Sequence, residues 1–89
     1  MEKNKVYVVV EDWRIDSGES DIYTSVFSTI EKAEKYFEKL KERYAEDYDT
    51  NNRDDKYVYE NSGEIEVTFE DNYDYYKIVI DEKIIDEEE

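Results

Sequence analysis

The chain has no cysteine and no histidine among its 89 residues. No disulfide can support the fold, the common zinc sites are excluded, and nucleophilic triads of the usual kind lack their base. Only carboxylates, tyrosine or lysine remain for acid–base work. Long apolar runs are missing as well. Nothing approaches the length of a membrane-spanning helix, and Met1–Lys5 has no signal-peptide hydrophobic region. A cytoplasmic protein without membrane contact is the expectation. The length suits one domain, residues 1–89, with an ordered body over about 4–85 and a disordered acidic tail at 86–89.

What is present is acid: 27 Asp and Glu against 12 Lys and Arg, net −15. Residues 1–28 carry six acids and three bases, residues 29–48 six and five, and residues 49–89 fifteen and four. The excess is therefore concentrated toward the C-terminal part. Such a surface repels nucleic acid and anionic lipid and attracts basic protein surfaces over about 10 Å at ordinary ionic strength. Direct nucleic-acid binding is disfavoured. Ten tyrosines, three phenylalanines and one tryptophan supply the apolar bulk that a disordered acidic chain would lack.

Residues 29–48, TIEKAEKYFEKLKERYAEDY, hold the one sustained helical pattern. Ile30, Ala33, Phe37, Leu40, Tyr44 and Tyr48 recur at steps of three and four, which puts an apolar stripe on one side of a helix. Ser28 with Glu31 fits a capping box at its start. Strands are expected on both sides. Residues 5–15 are rich in valine, with Val6, Val8 and Val10 on one face and Tyr7 and Val9 on the other, as in a central strand. A turn at Asp16–Glu19, with Gly18 free to take positive φ, leads to a second strand over 21–27. After a polar loop at 49–56 come a short strand at 57–60, a turn at Asn61–Gly63 and an alternating strand at 64–70. Its Ile65, Val67 and Phe69 point inward. Another turn at 71–74 precedes a last strand over 75–80, which Ile84 and Ile85 extend or cap. The order β-β-α-β-β-β predicts an α+β fold: a single two-layer domain, an antiparallel sheet of four to five strands with one helix packed on one face. The other face would be partly open and populated by Tyr and Glu.

Two acidic rows stand out. Glu34, Glu38, Glu42 and Glu46 follow one another at i, i+4 along the helix, where each like-charge pair costs about 0.2–0.5 kcal/mol. Lys35, Lys39 and Arg43 run beside them, and pairs such as Glu38–Lys41 offset part of that cost. The bland reading is a solvated face; the functional one is an acidic ridge for a basic partner. Glu64, Glu66 and Glu70 project from one strand face at multiples of about 6.6 Å, beside Asp71, Tyr73, Asp74 and Tyr75. Evenly spaced carboxylates beside aromatic rings resemble a row of phosphates beside bases, although acids also protect an edge strand from aggregation. Residues Asp47, Asp49, Asn51 and Asp55 fall at positions 1, 3, 5 and 9 of a calcium loop. Asn52 replaces its glycine, and Val58 replaces the bidentate glutamate that supplies two ligand oxygens. A small calcium-binding protein is thus a minor alternative. Catalysis is not expected, because the acids lie on predicted outer faces of a chain short for a substrate cleft. No cofactor is implied.

From VYVVVEDW through the Asp16-Ser17-Gly18 turn to VFSTIEKAEKYFEKL, over residues 5–40, the chain resembles a class of small phage and mobile-element proteins. They share a valine-rich first strand, a V-F-S-T/S strand end and an E-x-A-x-x-x helix. In size, acidity and α+β form it is also similar to anti-CRISPR and anti-restriction inhibitors, several of which act as nucleic-acid mimics. These resemblances imply a host-cell inhibitor, monomeric or dimeric, that binds the basic nucleic-acid groove of a defence nuclease, an RNA-guided nuclease first. Glu34, Glu38, Glu42, Glu64, Glu66, Glu70, Asp71 and Asp74 would meet its Lys and Arg, and Tyr73 and Tyr75 would pack beside them. The alternative is an acidic adaptor or regulatory module that binds a partner through an open tyrosine face.

Overall fold

A two-stranded hairpin laid beside a three-stranded meander makes the sheet. The computed structural model describes residues 4–70 and 74–85. Along the chain come β1 (Asn4–Arg14), β2 (Ser20–Phe27), α1 (Ile30–Asp47), a 3-10 turn (Thr50–Asn52), β3 (Lys56–Asn61), β4 (Glu64–Phe69) and β5 (Tyr75–Ile85). All strand pairs are antiparallel, in the order β2-β1-β5-β4-β3. The expected α+β arrangement, with five strands and one helix, is what the chain forms. β1 is central, as its two apolar faces require. β4 lies between β3 and β5, so its glutamates do not guard an edge. β5 is longer than its apolar run, continuing through Asp81–Lys83 to Ile85 because β1 offers pairing groups as far as Asn4.

The helix covers one face. Ala33, Phe37, Leu40 and Tyr44 pack on Val9, Ile65, Val67, Phe69, Tyr76 and Ile78, with Tyr7, Trp13, Phe27, Tyr36, Tyr48 and Ile80 around them. Tyrosine fills much of this core, and its hydroxyls find partners: Tyr76 with Thr50 at 3.1 Å, Tyr48 with the Arg14 carbonyl at 2.9 Å. Rings meet in stacked and tilted pairs, Tyr44 on Tyr76 at 5.1 Å and Tyr48 on Phe69 at 5.9 Å, which adds to the burial of their apolar faces. The helix begins one residue later than the capping box predicts. Thr29 is the cap, its Oγ1 accepting from the Lys32 amide at 3.2 Å, so Glu31 is not the reciprocal partner. Gly18 takes φ 103° in the first hairpin turn, a conformation that L side chains rarely adopt.

The opposite face is uncovered. Pairing register places Ile22, Thr24 and Val26 of β2 beside Val8, Val10 and Asp12 of β1, then Val79 and Lys77 of β5, Glu64 and Glu66 of β4, and Tyr59 and Asn61 of β3. Ile22, Val26, Tyr57 and Tyr59 are each more than half exposed. This face is thus richer in β-branched residues than a Tyr and Glu reading foresees. The tail at 86–89 lies outside the described residues.

Candidate functional site

Eight of the 27 acids lie at one end of the molecule. β1 ends, β2 begins, α1 ends, β3 begins, β4 ends and β5 begins there, since Arg14 pairs with Tyr75, Tyr75 with Thr68 and Phe69 with Lys56. The loops between these elements are tied to one another. The Asp16 amide donates to Asp74 Oδ1 at 2.9 Å, Glu70 N donates to the Asp55 carbonyl at 2.8 Å, and Tyr48 Oη reaches the carbonyls of Arg14 and Tyr75. Arg53 is the clamp, with Nη1 on Asp74 Oδ2 at 2.8 Å, Nε and Nη2 on Asp55 at 3.1 Å, and its guanidinium 3.9 Å above the Phe69 ring centre. Asp55 first, then Asp74, push the guanidinium pKa further above its ordinary value.

This pole collects Asp16, Glu19, Asp47, Asp49, Asp54, Asp55, Glu70 and Asp74 against Arg14, Arg53 and Lys56. Its placement has a cost. Glu46 and Asp47 close the helix, whose last turn holds no base, so they face the negative end of the helix dipole. Acids there are each unfavourable by about 0.3–1 kcal/mol at low salt. Asp49 adds a left-handed backbone, φ 55°, directly after it. A sequence selected for folding alone would put Lys or Arg at this helix end.

A groove of about 630 Å³ opens beside the pole, between α1 and the β1–β2 hairpin. α1 leaves this corner of the sheet bare. Trp13, Ile15, Tyr23, Tyr36, Tyr44 and Tyr48 line it, with Asp47, Asp49, Asp74 and Arg43 around the opening. Glu11 forms its floor and is only 6 % exposed. One carboxylate oxygen accepts from Tyr44 Oη at 2.8 Å, the other from Tyr36 Oη at 3.2 Å. Burial, followed by this hydrogen bond to Glu11, pushes the Tyr44 phenol well above its usual range. Burial, with the nearby Asp74 charge, pushes the Tyr48 phenol up to about 12. A second groove of about 640 Å³ lies on the other flank of α1, lined by polar residues such as Glu42, Asn51, Asn52 and Lys56. Lys41 crosses it to Glu60 at 2.6 Å.

The residues predicted from sequence are dispersed. Glu34, Glu38 and Glu42 are exposed on the outside of the helix layer, with Glu38 paired to Lys41 at 3.2 Å. Glu64, Glu66 and Glu70 belong to the other side, the uncovered sheet face. There Glu64 meets Lys77 at 3.4 Å, Glu66 accepts from Tyr75 Oη at 3.2 Å, and Glu70 from Tyr57 Oη at 3.4 Å. The two rows face opposite ways and do not form one patch. Burial and then Glu66 push the Tyr75 phenol up to about 12. Asp74 is half-buried at the pole, holding Arg53 and the 15–19 turn; Asp71 and Tyr73 lie outside the described residues. The calcium-loop acids do not converge: Asp55 is engaged by Arg53, Asp49 accepts from Asn52 Nδ2 at 2.7 Å, and among the described residues no three acids are placed to hold a metal ion. Glu11 is the residue that sequence reasoning missed. Its signal is phase, since it follows Tyr7 and Val9 on the inward face of β1. No described helix is long and apolar enough to cross a membrane. No family model, curated protein or solved structure matches the chain.

Proposed function

We propose that the protein is a binding inhibitor of phage or mobile-element type, which uses its acidic pole to occupy a basic, nucleic-acid-binding surface of a host defence nuclease. The observation that carries this reading is the gathering of eight carboxylates at the loop end, one of which, Asp47, opposes the helix dipole together with its neighbour Glu46. Locally unfavourable choices of this kind are expected where function outweighs folding. An acidic pole raises the association rate with a basic partner and gives binding that weakens with salt. Asp47, Asp49 and Asp54 are exposed and lead the contact; Asp55 and Asp74 hold Arg53 and shape the surface.

The test is competition against a nuclease–guide complex at low and high salt. Asp47→Lys, Asp49→Lys and Asp54→Lys together are expected to abolish inhibition of target-DNA binding, whereas Glu34→Lys and Glu38→Lys on the helix exterior leave most of it. Target binding that continues unchanged with excess wild-type protein sinks the reading. A second reading, an adaptor that docks through the uncovered sheet face, is favoured by the exposure of Ile22, Val26, Tyr57 and Tyr59. Its signature is partner binding lost in Ile22→Lys or Tyr57→Ala and kept in the pole variants.

A further inference from the structure

The groove beside the pole has a chemistry more specific than its charge. Its floor offers acceptors. Each oxygen of Glu11 accepts one tyrosine hydroxyl, and a carboxylate has about four lone-pair sites, so acceptor capacity remains. Tyr36 and Tyr44 donate their hydroxyl hydrogens to Glu11 in hydrogen bonds, so any further partner of their oxygens must be a donor. The walls are aromatic: the Trp13 and Tyr23 rings stand 6.4 Å apart at 45°, and Tyr36 of α1, its ring 5.2 Å from Phe27, lines the same groove. With Asp74 already paired to Arg53, Glu11, Asp47 and Asp49 still outnumber Arg43 in the lining. A ligand suited to this site has donors and no acceptor, a positive charge and a flat face.

We infer that the groove receives the guanidinium side chain of an arginine presented by a basic protein partner. Guanidinium carries five N–H donors and no acceptor, stacks on aromatic faces and forks onto a carboxylate, while the ammonium of lysine is a compact, strongly hydrated point charge. The groove volume exceeds one side chain, so residues flanking that arginine lie along Ile15 and Tyr48. This inference rests on the proposed binding to a basic partner and names the group that partner inserts.

Trp13 is the sole tryptophan and stands in the groove wall, so its fluorescence reports occupancy. The experiment titrates the full chain with the blocked tripeptide Gly-Arg-Gly and with its citrulline counterpart, which keeps the shape and removes the charge. A saturable change is expected with the arginine peptide, and binding about tenfold weaker or more with citrulline. Tyr23→Ala, at a ring nearly half exposed and outside the core, should weaken arginine binding about three- to tenfold, and Tyr57→Ala on the uncovered face should leave it unchanged. Equal responses to the two peptides, no saturation at tens of millimolar, or full affinity in Tyr23→Ala would each overturn the inference. Running the peptide titration and the nuclease competition on the same chain keeps the two ideas apart, since Asp47 and Asp49 belong to both surfaces and the pole variants touch each. If the wild-type chain inhibits a nuclease while the peptide fails to bind it, only the arginine site falls; if the peptide binds and no nuclease is inhibited, only the target class falls.

Discussion

The two flanks of α1 carry grooves of nearly equal size and contrasting chemistry. Toward β3 polar side chains mix with Val58, Ile65 and Val67 and an ion pair, Lys41 with Glu60, spans the groove; toward β2 the walls are aromatic and a buried carboxylate lies at the bottom. The difference comes from what each edge hairpin presents to the helix. β2 and β1 turn Tyr23, Glu11 and Trp13 inward, whereas β3 presents Lys56, Val58 and Glu60, and Lys41 closes onto it. Volume alone therefore says little about which groove is a site. A groove spanned from wall to wall by an ion pair is closed by its own side chains, while one whose floor carboxylate is held only by neutral hydroxyls keeps an uncompensated charge for a ligand.

Three measurements break or sharpen that contrast. The largest effect is expected at Glu11. Glu11→Ala removes the shared acceptor and leaves the buried Tyr44 hydroxyl without its partner, a loss of about 1–3 kcal/mol in urea unfolding. Glu11→Gln, which keeps an acceptor, should lose less. Equal stability of Glu11→Ala and the wild type would mean that the floor of the aromatic groove holds nothing together.

The second is alkaline pH. Burial holds the phenols of Tyr44, Tyr48, Tyr75 and Tyr76 above their ordinary value of 10.0, with Tyr48 and Tyr75 at about 12. The folded chain keeps these protons at pH values where the unfolded chain has released them. This contribution to stability is complete below about pH 10 and is lost as pH rises toward about 12. Melting temperature should thus fall steeply across that window, and Tyr48→Phe should flatten the fall. A melting temperature constant from about pH 9 to 12 contradicts the buried-phenol description. The smallest effect is expected on the other flank. Lys41 is raised in pKa chiefly by its hydrogen bond to Glu60, but that pair is surface chemistry. Lys41→Ala should cost only about 0.2–1 kcal/mol, less in high salt. A larger loss would make the polar groove a structural joint rather than a surface feature.

Much of the fold was legible because it rests on local periodicity. The stripe Ala33, Phe37, Leu40 and Tyr44, the inward set Ile65, Val67 and Phe69, and the two-sided character of residues 6–10 all follow from patterns within one element. The cap shifted by one residue because Ser28 and Thr29 are chemically equivalent choices and only the backbone decides between them. The length of β5 was hidden because its polar C-terminal half is held by pairing with β1, not by its own side chains. The acidic pole was illegible for a similar reason. Its members come from three loops far apart in sequence, and only the strand order brings Asp16, Asp55 and Asp74 together around Arg53. The i, i+4 row on the helix and the alternating row on β4 were easy to see, and they ended on opposite layers. Spacing within an element places a residue on a face; it does not say which other faces share that side of the molecule.

The strand order has one more consequence. The first half of the chain contributes an edge strand and an inner strand, the second half an edge strand and two inner ones, and the seam between the halves is β1 against β5, whose nearest partners in sequence are Arg14 and Tyr75. A ribosome releases β1 early and β5 last. Until then the newborn first half carries a bare row of amides and carbonyls along its most apolar strand, the kind of border that recruits stray chains. The emerging first half carries little charge of its own to oppose this, net −4 over residues 1–48 against −11 over residues 49–89.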